Sequence, residues 1–333
     1  MEVGLAVIHQ DGTLNEPAMS DWPFLFDFAR GHRGGRLALA TLVTREGSSY
    51  RQPGARMLIA GDLSFCGSLS GGCLEEGIAN SAREVFATGK PQRMVIDTRP
   101  HFGCPGKLHV QVEEIDIALM DRIEAALRER CPVLLTTDSH GTRLAAGETG
   151  DLLEKVCPPP RLIAVGWTPD MDPVLDFSAK LGWQLHRVLL DHRMIAETPR
   201  VAGESIQALA ADEMVPTFKP DSTTAVLVMS HHLATDFAFL RVILPAGYGY
   251  VGLLGSKRRR EILLAELGEL GLLEDPAITE CLHAPVGLDL GGHHPATIAL
   301  AIVAEIQAVL AGAEAGFLRD KIGTIHPQTL SKG

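Results

Sequence analysis

The sequence predicts a two-part α/β chain: an N-terminal mixed α/β domain over residues 16–154, then a doubly wound parallel-sheet domain over residues 161–325. Three observations predict it. From Arg161 onward, short continuous apolar runs alternate with segments of helical period, the pattern of a parallel sheet covered on both faces. Before that point strands and helices mix without strict alternation, as in an α/β or α+β domain. Between the two, "KVCPPPR" holds three consecutive prolines, which suit neither a helix interior nor a central strand. Residues 155–160 are read as a linker.

In the first part, "PAMSDWPFLFDFARGH" predicts a helix with Ser20 as N-cap and Trp22, Leu25, Phe26 and Phe28 on its apolar face. "RLALATLVTR" predicts a strand. "ARMLIA", Gly61-Asp62 and "LSFCGSL" predict a hairpin. "LEEGIANSAREVFATG" predicts a helix stopped by Gly89. "RMVID" and "LHVQVEEI" are strands, Ile117 to Arg130 a helix, and "PVLLTTD" and "TRLAAG" strands. In the second part, "RLIAVG", "WQLHRVLLD", "TTAVLVMS" and "GYVGLLG" are strands. Helices are expected at "DPVLDFSAKLG", "DFAFLRVILPAG" and "KRRREILLAELGELG". "PATIALAIVAEIQAVLAG" closes the fold as a buried helix, interrupted by Glu305 and Gln307, rather than a membrane span.

With 333 residues, 46% of them hydrophobic, the chain can bury sizeable cores. Its net charge of −11 disfavours nonspecific binding to nucleic acid or anionic lipid, so neither nucleic acid nor membrane is expected as a partner. "MEVGLAVIHQ" lacks the pattern of a secretory signal. The six cysteines show no CxxC or framework spacing, which fits a reducing, cytoplasmic compartment.

Candidate chemistry starts at "GSLSGGCLEEG", where a strand enters, a small-residue turn follows and a helix leaves. Such a turn offers backbone N–H groups to an anion, and Gly71 and Gly72 let a ligand approach the backbone. Cys73 would sit near the positive end of the helix dipole, which favours thiolate; Glu75 and Glu76 oppose this. Cys73 is either a functional thiol or a small cysteine packing a tight turn. Cys104, in "HFGCPGK", is also flanked by glycine, and a structural turn is the competing reading. "REGSSYRQPGARM" places Arg45, Glu46, Ser48, Ser49, Arg51 and Arg56 in a loop where arginines could receive a phosphate or carboxylate, or form ordinary ion pairs.

In the second part, "VGWTPDMD" stands where a dinucleotide site would carry G-x-G-x-x-G. Gly166 fits the first position, but Thr168 and Met171 replace the other two glycines, which counts against ordinary NAD binding. Asp191, 25 residues on, is placed either to take a ribose hydroxyl or to cap a turn. "LLGSKRRREILL" puts Ser256 at an N-cap and Lys257, Arg258, Arg259 and Arg260 in the first helical turn, against the helix dipole. A bound phosphate or an acidic partner would relieve that conflict. His231-His232 and His293-His294 read as loop histidines at strand ends, with one of each pair able to line a cleft.

Taken together, these segments resemble the xanthine dehydrogenase accessory protein family of the XdhC/CoxI type. The resemblance rests on "EGSSYRQPGARMLI", "GSLSGGCLEE", "FGCPGKLHVQVEE", "GWTPDMDPVLDFSAKLGW", "DHR", "VMSHHLATD", "YGYVGLLGSKRRR" and "APVGLDLGGHHPATIALAIVAEI", from about Leu37 to about Ile306 in the family's order. It implies a Rossmann-like second domain. It also implies a chaperone that binds molybdenum cofactor (molybdopterin, or its cytosine dinucleotide form), protects it during sulfuration by a cysteine desulfurase, and delivers it to a xanthine dehydrogenase-type molybdenum hydroxylase. A homo-oligomer is expected. The family's glycine-flanked cysteines fall on Cys73 and Cys104, with Cys73 placed to contact molybdenum or handle its sulfur. The chain departs from the family at Gly166-Trp167-Thr168 and at His294-Pro295, the latter harmless because a helix can start at proline without a hydroxyl cap. The expected cofactor-binding set is Gly71, Gly72, Cys73, Cys104, Arg56, Gly166, Asp191, Ser256, Lys257 and Arg258. Two other functions compete: an NAD(P)-dependent oxidoreductase, and a thiol-based sulfur-transfer enzyme using Cys73 and Cys104.

Overall fold

The computed structural model of the chain describes residues 7–8, 14–15, 21–47, 49–72, 74–98, 106–147 and 150–322. The chain divides into two compact units between Pro158 and Pro159.

The first unit runs β1 (Val7–Ile8), β2 (Leu14–Asn15), α1 (Trp22–Gly31), β3 (Leu37–Gly47), β4 (Arg56–Ala60), β5 (Phe65–Gly67), α2 (Glu75–Thr88), β6 (Gln92–Asp97), β7 (Gly106–Glu114), α3 (Ile117–Arg128), β8 (Val133–Asp138), β9 (Gly141–Leu144) and β10 (Leu152–Val156). It holds two antiparallel sheets, ordered β5-β4-β3-β7-β6 and β2-β1-β10-β8-β9. Strand alternation assigns the two faces of the first sheet. Ala38, Ala40 and Leu42 of β3 pack with Ile78, Ala79, Ala82 and Val85 of α2. Leu37 and Leu39 pack on Trp22, Leu25 and Phe26 of α1, Ile123 of α3, and Leu135 of β8. The expected hairpin is β4–β5, and Gly89 ends α2 at φ +67. Two details differ from expectation. The N-cap of α1 is Asp21 rather than Ser20, which lies outside the described residues. Lys155 and Val156, read as linker, close β10, whose "LLEKV" alternation buries Leu152, Glu154 and Val156.

The second unit runs β11 (Arg161–Val165), α4 (Met171–Lys180), β12 (Gln184–Leu189), α5 (Arg193–Glu197), β13 (Glu204–Ala208), α6 (Met214–Thr217), β14 (Thr224–Val228), α7 (Leu233–Ile243), β15 (Tyr250–Leu253), α8 (Lys257–Glu269), α9 (Pro276–Cys281), β16 (Leu282–His283) and α10 (Pro295–Leu310). Its six strands are all parallel in the order β13-β12-β11-β14-β15-β16. That is the 3-2-1-4-5-6 order of a Rossmann fold. Leu162 and Ala164 face α4 and α10, while Ile163 and Val165 face the layer of α7, α8 and α9. Helices thus cover both faces.

Strand β13 has no signal in the sequence because it carries a buried charge. Arg187 of β12 is fully buried, and its Nε donates to Glu204 Oε1 of β13 at 2.6 Å. Its Nη2 donates to Asp172 Oδ1 of α4 at 2.9 Å. Glu305, the acidic interruption in α10, accepts from the Tyr250 hydroxyl at 2.5 Å and from the Gly287 amide at 2.8 Å. His294 caps α10 through its own ring, with Nδ1 accepting from the Ala296 amide at 3.2 Å.

Arg187→Ala leaves Glu204 buried without its counter-charge, and is expected to lower unfolding free energy by about 3–5 kcal/mol. Arg187→Met with Glu204→Leu should recover most of that loss in urea titrations; an equally unstable double variant would refute the pairing.

Candidate functional sites

The turn between β5 and α2 is organised around a carboxylate. Glu75 is the first residue of α2 and is 3% exposed. Its Oε1 accepts from the Ser68 hydroxyl (2.7 Å), the Leu69 amide (3.0 Å) and the Ser70 amide (2.9 Å). Its Oε2 accepts from the Ser70 hydroxyl (2.8 Å) and the Leu74 amide (3.0 Å). Ser68 Oγ in turn accepts from the Gly71 amide at 2.9 Å. Burial alone would push the carboxyl up; bonds from Ser68, Ser70 and Leu74 outweigh it and bring the pKa down to about 2. For the Leu69, Ser70, Gly71 and Leu74 amides, the expectation that this turn offers N–H groups to an external anion is therefore corrected. The anion bound by the Leu69, Ser70 and Leu74 amides is the chain's own Glu75, at the end of the helix where the dipole favours it.

Gly71 and Gly72 are exposed with φ of +83° and +109°, a region that L residues rarely adopt. A Cβ on Gly72 would meet nothing within 4 Å, whereas one on Gly71 would lie 3.1 Å from Tyr50 Cδ1. The fold thus brings the "EGSSYRQPGARM" loop onto the "GSLSGG" turn, and Tyr50, which the sequence did not single out, stands beside it. A register shift between Leu42 and Thr44 of β3 precedes this loop. Cys73, Cys104 and Ser48 lie outside the described residues. Arg56 does not face a ligand: it is 2% exposed, its Nη1 donates to Glu154 Oε1 at 2.6 Å, and its guanidinium stacks 4.9 Å from the centre of the Trp22 ring. Arg51 is bonded to Asp21, and Arg45 donates to the Gly47 carbonyl at 2.7 Å. Burial pushes the thiols of Cys66, Cys157 and Cys281 up, so they stay protonated at neutral pH.

In the second unit, Gly166 follows β11 with φ +104. A Cβ there would lie 2.6 Å from Ser230 Cα, so the close approach that demands glycine is made by the chain's own backbone. Thr168, in the place of the second glycine, is buried, and its Oγ1 has no hydrogen-bond partner among the described residues. Asp191 is exposed, and its Oδ1 accepts from the Arg193 amide at 2.9 Å, the cap of a short turn. A cleft of about 370 Å³ lies past the ends of β14 and β15, lined by His231, Leu233, Gly255, Ser256, Arg258, Arg259 and Ile262. Ser256 caps α8, accepting from the Arg259 amide at 3.3 Å. The four cations divide. Arg259 turns inward to the fully buried Asp236, its Nε bonded to Oδ2 at 3.0 Å, while Lys257 and Arg258 stay exposed. Asp236 also accepts from the Ser230 hydroxyl, which ties the ends of β14, α7 and α8 together. His231 sits at φ +57 on the cleft wall. Among the described residues no cluster of three or more His, Cys, Asp or Glu could hold a metal ion, and no helix is long and apolar enough to cross a membrane.

The fold and these two regions define a two-unit α/β protein: in chain order, a mixed unit with a glycine-rich turn and then a Rossmann-like unit. Residues 162–306 match the XdhC Rossmann domain and residues 31–97 match the XdhC and CoxI family. The chain belongs to the XdhC/CoxI family. It is 26% identical over 312 residues to a probable xanthine dehydrogenase subunit of Bacillus subtilis, covering 80% of this chain and 91% of that protein. It is 26% identical over 286 residues to the molybdenum cofactor insertion chaperone PaoD of Escherichia coli, covering 83% and 84% respectively. A crystal structure described as a xanthine dehydrogenase from Bacillus halodurans superposes with a TM-score of 0.72 at 26% identity, over 88% of this chain and 96% of that one.

Glu75→Gln is expected to destabilise the first unit by about 2–3 kcal/mol at neutral pH, through lost charge-assisted bonds. The folded carboxyl has the lower pKa, about 2 against an ordinary 4.5. Its contribution is therefore complete above about pH 5 and fades as pH falls toward 2. The stability gap between wild type and Glu75→Gln, read by denaturant titration across that range, should shrink with acidification; a gap independent of pH would refute the assignment.

Proposed function

We propose that this protein is a molybdenum cofactor-binding accessory protein that supports sulfuration of the cofactor and its insertion into a xanthine dehydrogenase-type molybdenum hydroxylase. One observation carries the reading: the match to a molybdenum cofactor insertion chaperone over 84% of that chaperone's length. The match to a probable xanthine dehydrogenase subunit supports the choice of recipient. The cofactor is cargo here, taken up and released unchanged except at its exchangeable sulfur.

Within this reading, Cys73, next in the chain after Gly72, contacts molybdenum or shields the sulfur exchanged there, since a soft thiolate suits that metal. Cys104 belongs to the same centre. In the second unit, Ser256 and Arg258 line the cleft, where an exposed cation at a helix N-terminus favours a phosphate, and the exposed Lys257 adds to that charge. Gly166 and Asp191 take part only where the cofactor carries its cytosine dinucleotide, with Asp191 Oδ2 facing a ribose. A cysteine desulfurase supplies the sulfur, the protein works as a homo-oligomer, and it acts in the cytoplasm. Neither the oxidoreductase reading nor an independent sulfur-transfer enzyme is favoured. The glycine demanded after β11 serves packing against Ser230, and the position of the second glycine is filled by Thr168.

The test is cofactor content. Protein produced in a molybdopterin-competent bacterium is oxidised, and the fluorescent pterin product and molybdenum are measured together. Wild type is expected to carry both, and Cys73→Ala to lose at least about tenfold, one soft ligand being worth more than 1.4 kcal/mol. Lys257→Glu with Arg258→Glu should lower retention and weaken its dependence on salt. Wild-type protein free of pterin, beside a related chaperone that retains it, would refute the function.

A further inference from the structure

The turn at Gly71–Gly72 raises a question that the anion reading left open. The Leu69, Ser70 and Leu74 amides are already taken by Glu75, so those amides are not what the turn offers to a ligand. Yet both glycines are exposed, and Gly72 faces open space that no neighbouring atom explains. Beside them stands Tyr50, 65% exposed. Its ring lies against Gly71: a Cβ there would sit 3.1, 3.3 and 3.5 Å from Cδ1, Cε1 and Cγ. A larger residue at position 71 would push the ring away. Each side of the contact is held independently. Ser68 and Glu75 fix the turn, and the Tyr50 loop is pinned by Arg51 to Asp21 and by the Gly54 amide to the Leu42 carbonyl at 2.8 Å. A largely exposed aromatic ring beside bare backbone offers a surface on which a flat ring can stack.

We propose that Tyr50 is a binding residue that stacks on a planar, uncharged nitrogen heterocycle, which slides over Gly72 in the space left by its missing side chain. Resting on the cargo reading above, this assigns the pterin ring to the first unit's turn and face, and not to its helix N-terminus. Recognition by faces carries little salt dependence, unlike recognition by a phosphate cradle.

Two measurements separate this inference from the reading beneath it. The first is retained pterin in wild type, Tyr50→Phe and Tyr50→Ala produced under the same conditions. The second is direct titration of each purified protein with free pterin, followed by pterin fluorescence at low and high salt. Tyr50→Phe should hold pterin within about twofold of wild type, because the face is kept. Tyr50→Ala should weaken pterin binding between about fivefold and a hundredfold, with little change on adding salt. Tyr50 is exposed, so both variants should unfold at the wild-type midpoint, which checks that the loss is not a folding defect. Pterin bound equally by Tyr50→Ala and wild type would overturn the stacking role while leaving the chaperone function standing. Tyr50→Ala that keeps pterin but loses its complex with the molybdoenzyme would overturn it too, making Tyr50 a docking residue. Wild type that carries no cofactor yet binds free pterin through Tyr50 would refute the chaperone function and keep the stacking site.

Discussion

The carboxylate of Glu75 holds the first unit's turn in shape. Five donors converge on it, from two hydroxyls and three amides, and each belongs to a residue close by in the chain. Without an internal acceptor, a turn this rich in glycine and serine would lose a great deal of backbone entropy on ordering and gain few contacts. Glu75 sits at the first position of α2, where the helix dipole also favours it, so one group closes the helix start and the turn together. The remaining features depend on that anchoring: Gly71 and Gly72 keep positive φ, and Tyr50 keeps its place beside Gly71.

The second unit uses the same device with different partners. Buried acids pin segments whose hydrophobic contacts would not place them uniquely. Glu204 and Asp172 hold Arg187 beneath the first β–α crossover. Asp236 holds Arg259 and Ser230 at the strand ends, while Lys257 and Arg258 stay exposed and Arg258 lines the cleft. Glu305 ties α10 to Tyr250 and to the Gly287 loop. Such pairs are poor sources of net stability, because desolvation offsets much of their attraction. Their value is positional.

Much of this was legible in the chain. The parallel sheet declared itself through "RLIAVG", "TTAVLVMS" and "GYVGLLG", continuous apolar runs that only a doubly covered sheet can bury. The glycine stop at Gly89, the β4–β5 hairpin and the Ser256 cap are local, so local residues specify them. Other features were hidden for equally physical reasons. Strand β13 reads as polar because Glu204 points at an arginine one strand away. Arg56 looks like a loop cation until Glu154, 98 residues on, is found against it. Glu75 reads in the sequence as a charge beside a thiol, and only the fold shows that its carboxylate also turns back to bond the Ser68, Leu69, Ser70 and Leu74 donors.

By itself the sequence determined the fold class, the order of the main strands and helices, and the family, since periodicity, caps and motif order are properties of neighbours along the chain. Only the tertiary structure decided which charges are spent internally and which face solvent: Arg56 and Arg187 are buried in pairs and Arg259 is half-buried against Asp236, while Lys257 and Arg258 stay exposed. It also decided that Tyr50 meets Gly71. Pairing and burial depend on contacts between residues far apart in the chain, and no local pattern encodes where a side chain's partner will come from.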